Sequence, residues 1–205
     1  MGDLDRRRFV ANSFASLASL ASLASLASLA GASTLAHGAS PLTTSRQDAP
    51  SLSAKGKRML VLGGTRFLGP EIVKGAIARG YKVTLFNRGK SNPKLFPDLE
   101  KLRGDRDKNE LDALKGRHWD VVVDTSGYVP AHVRDAAKIV AAEGAERYVF
   151  ISSVSAYADE SQTNIKEEAP VEPVPEEFVE KTKTIRASLV HYGGMKALCE
   201  AAAEE

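Results

Sequence analysis

Cysteine is almost absent from this sequence of 205 residues: Cys199 stands alone. That excludes an internal disulfide and any cysteine-cluster zinc site. Aromatic residues make up only 6%, and Trp119 is the sole tryptophan. No sign of charge dominates, because 28 Lys and Arg face 26 Asp and Glu for a formal net charge of +2. Such a balance supplies no basic field for nucleic acid. His118, His132 and His191 are too scattered for a metal site. What remains, 43% hydrophobic and 26% charged, is the composition of a soluble globular protein. The length allows one domain, or one domain plus a tail.

Charge is missing altogether between Arg8 and His37. In that gap Ala-Ser-Leu repeats and places Leu17, Leu20, Leu23, Leu26 and Leu29 three apart. A helix turns roughly 100° per residue, so the leucines spiral around the rod and leave no fixed apolar face. A coiled coil or partner-binding helix is therefore disfavoured. A basic cluster, a mildly apolar stretch and then small residues is the order of an export signal. Asp5-Arg6-Arg7-Arg8-Phe9-Val10 resembles the twin-arginine motif, and Ala30-Gly31-Ala32 and Ala36-His37-Gly38 offer cleavage-type spacing. The reading is a twin-arginine signal peptide over 1–38 and a linker over 39–56, with export to a periplasmic or extracellular destination. The alternative is a membrane anchor left uncleaved, since about 20 apolar residues span a bilayer; a serine at every third position weakens it.

From 57 onward the pattern is strand, glycine turn, helix, repeated. Apolar runs predict strands over 57–62, 81–86, 99–102, 119–123 and 147–152. Helical spacing predicts helices over 67–79, 108–115 and 130–142, and again over 188–205. Pro93 and Pro97 deny 87–98 a full crossover helix. Pro170, Pro173, Pro175 and many acids make 158–187 a loop, with Glu167, Glu168, Glu172, Glu176 and Glu177 solvated. Alternating strands and helices imply an α/β fold, a Rossmann-type doubly wound parallel sheet over 57–205. Ligands then bind at the carboxyl ends of the strands.

Two clusters carry chemistry. The first strand runs into Gly63-Gly64-Thr65-Arg66-Phe67-Leu68-Gly69 and a helix. Bare amides at a helix start suit a phosphate. Gly63 permits the tight turn, Gly69 permits close helix packing, and Arg66, in place of the usual middle glycine, can contact a phosphate directly. The second strand ends in Asn87-Arg88 rather than an acid. A guanidinium suits a 2′-phosphate, so Arg66 and Arg88 favour NADP over NAD. Asp105, in Gly104-Asp105-Arg106, is placed to meet the adenine amine, with Arg106 beside it. Thr125, Ser126 and Gly127 offer small groups for a cofactor to pass.

The second cluster follows the fifth strand: Ser152-Ser153-Val154-Ser155-Ala156-Tyr157, and later Tyr192-Gly193-Gly194-Met195-Lys196. Tyr and Lys four apart share a helix face. A free tyrosine, with a pKa near 10, is a poor base at neutral pH, and a nearby ammonium corrects this. In this order with the glycine turn, the residues resemble the extended short-chain dehydrogenase/reductases, the NAD(P)-dependent epimerase/dehydratase family. The resemblance assigns Ser153, Tyr192 and Lys196 as catalytic, with Tyr192 the acid/base and Lys196 also holding the nicotinamide ribose. It implies hydride transfer on a sugar or nucleotide-sugar with NADP or NAD.

The form Gly-Gly-Thr-Arg-Phe resembles an atypical branch that includes plastid RNA-binding relatives, and 132–138 lacks the asparagine frequent in the family. Family members continue beyond the lysine helix with a further strand and a substrate domain, so the sequence reads as the N-terminal, cofactor-binding portion. Its expected partners are a sugar-derived small molecule and the twin-arginine export machinery, with a homodimer left open and no nucleic acid. The competing functions are a non-catalytic NAD(P)-binding sensor or scaffold and, ranked lowest, an RNA-binding relative.

Overall fold

The computed structural model describes residues 54–205. The signal-peptide reading of 1–38 lies outside those residues, as does most of the linker. The elements are β1 (Arg58–Leu62), α1 (Gly69–Ala78), β2 (Lys82–Asn87), β3 (Glu100–Arg103), β4 (Val121–Asp124), α2 (Pro130–Ala142), β5 (Arg147–Phe150), α3 (Glu176–Lys181), α4 (Ile185–Ser188) and α5 (Tyr192–Glu204). No described helix is long and apolar enough to cross a membrane.

All five strands are parallel, in the order β3-β2-β1-β4-β5. β1 lies at the centre, with Leu60 level with Thr84 on one side and Val122 on the other. Its residues alternate between two cores, because successive side chains of a strand point to opposite faces. Leu60 and Leu62 join Phe86, Leu114, Trp119, Val122 and Val140. Met59 and Val61 join Val73, Ala76, Val83 and Leu85 on the other face. A strand buried on both faces must be apolar throughout, which is why β1 reads as an unbroken run. Each fully buried Leu or Val contributes roughly 1.5–3 kcal/mol. α5 packs on α2 through Val133, Cys199 and Ala202. Burial pushes the Cys199 thiol up to about 12, so the lone cysteine is an inert packing group.

Four expectations require correction. The helix expected over 108–115 is two 3-10 turns, Arg106–Lys108 and Asp112–Leu114. Local polar groups outcompete the helix there: the Asp105 carboxylate accepts from the Asp107 amide, Glu110 accepts from the Asp105 amide, and Asn109 turns left-handed at φ 56°. The 158–187 segment is not wholly loop, because Pro175 precedes α3 at a helix start, where proline is tolerated. Glu172, read as a solvated acid, accepts from the Gly194 amide at 3.1 Å in the first turn of α5. A carboxylate is favourable at that end of the helix dipole. The expected helix over 67–79 begins only at Gly69, after a left-handed residue at Phe67.

Candidate functional site

β1 and β4 are neighbours whose connections leave in opposite directions, so a crevice opens at their carboxyl ends. The glycine turn fills its floor. Gly63 sits at φ +107°, and a Cβ there would meet Thr125 Oγ1 at 2.3 Å. A Cβ on Gly69 would lie 2.6 Å from the Gly64 Cα. Both approaches are closed to any larger residue. The Gly63 amide donates to the Phe86 carbonyl at 2.9 Å and the Thr125 hydroxyl to the Leu62 carbonyl at 3.0 Å, tying the turn to β2 and β4. Thr65 is buried, and its carbonyl accepts from Asn92 Nδ2 at 2.8 Å. Arg66, Phe67 and Leu68 are exposed, and their amides donate to no described group. Phe67 is 99% exposed at φ 49°, a conformation a bulky residue rarely adopts. The turn therefore presents bare amides at the start of a helix.

Beyond β2 lies a basic cleft of about 220 Å³, in which Arg88, Lys90, Arg103 and Lys108 face Asp105 and Glu110. Asn87 organises it: Oδ1 accepts from the Gly89 amide at 2.9 Å and from Arg103 Nη1 at 2.5 Å. Its Nδ2 is buried and has no hydrogen-bond partner among the described residues. Arg103 was not among the residues singled out from the sequence, although it immediately precedes Gly104 and Asp105. Asp105 lines the cleft with Lys90 Nζ 3.7 Å away.

Arg106 departs from its expected place. It is buried and makes a two-point pair with Asp124, Nη1 to Oδ1 and Nη2 to Oδ2, both 2.9 Å. Nη2 also donates to the His132 carbonyl at 2.6 Å. Asp124 further accepts from the Ser126 amide at 2.9 Å and the Tyr148 hydroxyl at 2.8 Å. Arg106 is thus a core charge that fixes the end of β4, not a surface contact, because Asp124 is the buried carboxylate that the described residues offer it. It sets the loop carrying Ser126, Gly127 and Tyr128.

The catalytic candidates converge at the other side of the crevice. Ser153, three residues beyond the end of β5, accepts from the Ser155 amide at 3.2 Å, which leaves its hydroxyl proton available. Tyr192 opens α5, and Lys196 follows one turn later on the same face. Lys196 Nζ donates to the Gly127 carbonyl at 2.9 Å and the Ile151 carbonyl at 2.6 Å. It lies 4.0 Å from the Phe150 ring centroid and 5.4 Å from that of Tyr128. Burial lowers its pKa to about 8, so the ammonium predominates at neutral pH. The Tyr128 ring is 6.2 Å from the Tyr192 ring. Tyr128, one residue beyond the Gly127 at which the sequence reading ended, was missed because no motif marks it.

Lys196 also makes a pH prediction. Its folded pKa lies below the ordinary lysine value of about 10.4, so the unfolded chain binds more protons between the two. Its contribution to stability therefore rises with pH from about 8 toward 10, and burial of the charge costs most below 8. In Lys196→Met this rise is expected to disappear. Thermal unfolding of both proteins at intervals from pH 7 to 10 checks it; parallel profiles would show that Lys196 is not the titrating group.

Comparison with known proteins agrees with this geometry. The family model described as NAD dependent epimerase/dehydratase matches residues 59–192. The chloroplast stem-loop binding protein of 41 kDa b from Arabidopsis thaliana is 30% identical over 132 residues, 57% of this chain and 34% of that protein. Among solved structures, the Bordetella bronchiseptica enzyme WbmG in complex with NAD superposes with a TM-score of 0.55 at 16% identity, covering 75% of this chain and 51% of that one. The UDP-N-acetylglucosamine 4-epimerase from Bacillus cereus gives 0.52 at 19% identity, covering 73% and 52%. The chain thus spans about half the length of these structures and a third of the Arabidopsis relative. The match over most of the described sheet, with the glycine turn and Tyr192 at its two ends, makes this chain a member of the NAD-dependent epimerase/dehydratase family.

Proposed function

We propose that this chain is the cofactor-binding portion of an exported NAD(P)-dependent enzyme that transfers hydride at a carbinol carbon of a sugar or nucleotide-sugar. The observation that carries the reading is the glycine turn: amides of Arg66, Phe67 and Leu68 stand free where a Cβ at Gly63 or Gly69 would close the crevice. Such a cradle fits a pyrophosphate. The basic cleft fits a phosphate on the adenosine ribose, so NADP is the preferred cofactor. Two guanidiniums, Arg88 and Arg103, provide the forked donors. WbmG, similar in fold, is described as a complex with NAD, which supports a nicotinamide cofactor of either kind.

When bound, the nicotinamide supplies the hydride acceptor and donor. The chain supplies the rest. The Lys196 ammonium, fixed by two carbonyls, favours the phenolate of Tyr192. Tyr192 takes the carbinol proton as the C–H electron pair departs, and returns it in the reverse step. The Ser153 hydroxyl donates to the substrate oxygen and holds it in place. The proposal includes the twin-arginine signal over 1–38, a route suited to a protein exported with its cofactor aboard, followed by a linker to residue 56.

The test is calorimetric titration of the full chain with NADPH and NADH beside Gly63→Ala. Binding of NADPH tighter than NADH, weakened at least tenfold in the variant, is expected. A left-handed φ and a 2.3 Å approach to Thr125 leave the added methyl no room. The name of the Arabidopsis relative supports a second reading, stem-loop RNA binding. No affinity for either cofactor, with salt-dependent binding of a stem-loop RNA, would replace the first reading by the second.

A further inference from the structure

Tyr128 has no part in the motifs that identify the family, yet it occupies the centre of the candidate site. Its backbone position is fixed from both sides. The preceding Gly127 carbonyl holds Lys196, and a Cβ on Gly127 would meet Phe150 at 2.4 Å and Val133 at 2.6 Å. The loop cannot shift without losing that packing. The ring then faces Tyr192 at 6.2 Å with an interplanar angle of 40°, and the Lys196 ammonium at 5.4 Å. Among the described residues neither phenol oxygen has a hydrogen-bond partner. Two phenols without hydrogen-bond partners among the described residues thus stand side by side at the carboxyl edge of the sheet, the ring of Tyr128 facing the Lys196 ammonium.

We propose that Tyr128 is a second substrate-contacting phenol beside Tyr192, one that stays protonated and donates a hydrogen bond to the substrate oxygen. The inference rests on the hydride-transfer reading above and assigns it a second substrate-contacting phenol. Like groups held close cannot both ionise, and the one in the less favourable surroundings keeps its proton. Tyr128 is that one. It is half-buried, and the groups acting on it are Tyr192 and Lys196 from α5, Asp124 from β4 and Arg66 from the glycine turn. Burial raises its pKa most; the charge of an ionised Tyr192 and that of Asp124 add to it, and Arg66 opposes them. A phenolate beside a neutral phenol offers one acceptor and one donor, the pair that a carbinol and the carbonyl formed from it require in turn.

The experiment is a pH titration of the full chain labelled with 13C at tyrosine Cζ, read by NMR for the wild type, Tyr128→Phe and Tyr192→Phe. The variants keep the ring and assign the two resonances. In Tyr192→Phe the Tyr128 midpoint should fall, because the charge of an ionised Tyr192 is one of those that raise it. A Tyr128 midpoint at or below that of a free tyrosine, about 10, or one unmoved by Tyr192→Phe, overturns the proposal. NADPH and NADH titrations of the same samples judge the hydride-transfer reading separately, since loss of cofactor binding leaves the cofactor-free midpoints readable.

Discussion

Arg106→Met is expected to destabilise the fold by about 3–5 kcal/mol, the cost of leaving a buried charge without its partner. Asp124 is fully buried, and the pair with Arg106 is made through two hydrogen bonds of 2.9 Å. Burial pushes the Asp124 carboxyl up, yet the Arg106 charge and its hydrogen bonds outweigh this and hold it below the usual carboxylate value. A depressed folded pKa gives stability that is present above the unfolded value of about 3.9 and is lost as pH falls below it. Urea unfolding at pH 7 and pH 3 measures both effects. The variant should lose most of its stability at pH 7 and show a weaker acid dependence. A midpoint within experimental error of wild type would mean that water replaces the guanidinium and that the pair does not anchor β4. Arg106→Lys is a stricter comparison: a lysine keeps the charge but cannot fork to both carboxylate oxygens, so it should fall between the two.

The second large effect is expected at Gly193. A Cβ there would stand 1.8 Å from the Ser155 carbonyl oxygen and 2.3 Å from a Glu172 carboxylate oxygen. The carbonyl is backbone and cannot swing aside, so the first turn of α5 must move. Tyr192 and Lys196 move with it, and the ammonium loses its seat on the Gly127 and Ile151 carbonyls. Gly193→Ala should therefore cost about 1–3 kcal/mol as overpacking and weaken NADPH binding along with stability. Gly75→Ala supplies the contrast. Its Cβ would meet only Arg79 Nη1, the far end of a flexible side chain, at 3.3 Å. In the middle of α1 the same exchange should stabilise by about 0.5–1 kcal/mol through helix propensity. Thermal unfolding of the two variants separates a glycine required by contact from one that is not. Shifts of opposite sign confirm the argument, while two stabilised variants would show that α5 seats less tightly than the structure places it.

Much of the fold was legible in the sequence because a parallel sheet buries both faces of its central strands. That demand writes itself as continuous apolar runs, and 58–62, 82–87 and 121–124 carry it. Glycines at strand ends were equally legible, since a left-handed turn and a close helix approach leave few other choices. The helix expected over 108–115 was not. Its apolar residues, Leu111 and Leu114, do point into the core, as a helix would have them do. The path leading up to them is instead set by side-chain bonds to the backbone from Asp105 and Glu110. Periodicity cannot register such bonds.

The same division runs through the candidate site. The sequence by itself determined the order of elements, the glycine turn after β1 and the four-residue spacing that sets Tyr192 and Lys196 on one helix face, because each depends on neighbours in the chain. Only the tertiary structure decided that Arg106 turns inward to Asp124, that Arg103 joins Arg88 at one cleft, that Glu172 meets the start of α5, and that Tyr128 faces Tyr192 over Lys196. Each of these joins residues from separate elements. Which way a side chain turns there depends on the counter-charge, the carbonyl or the ring that another part of the chain brings to it.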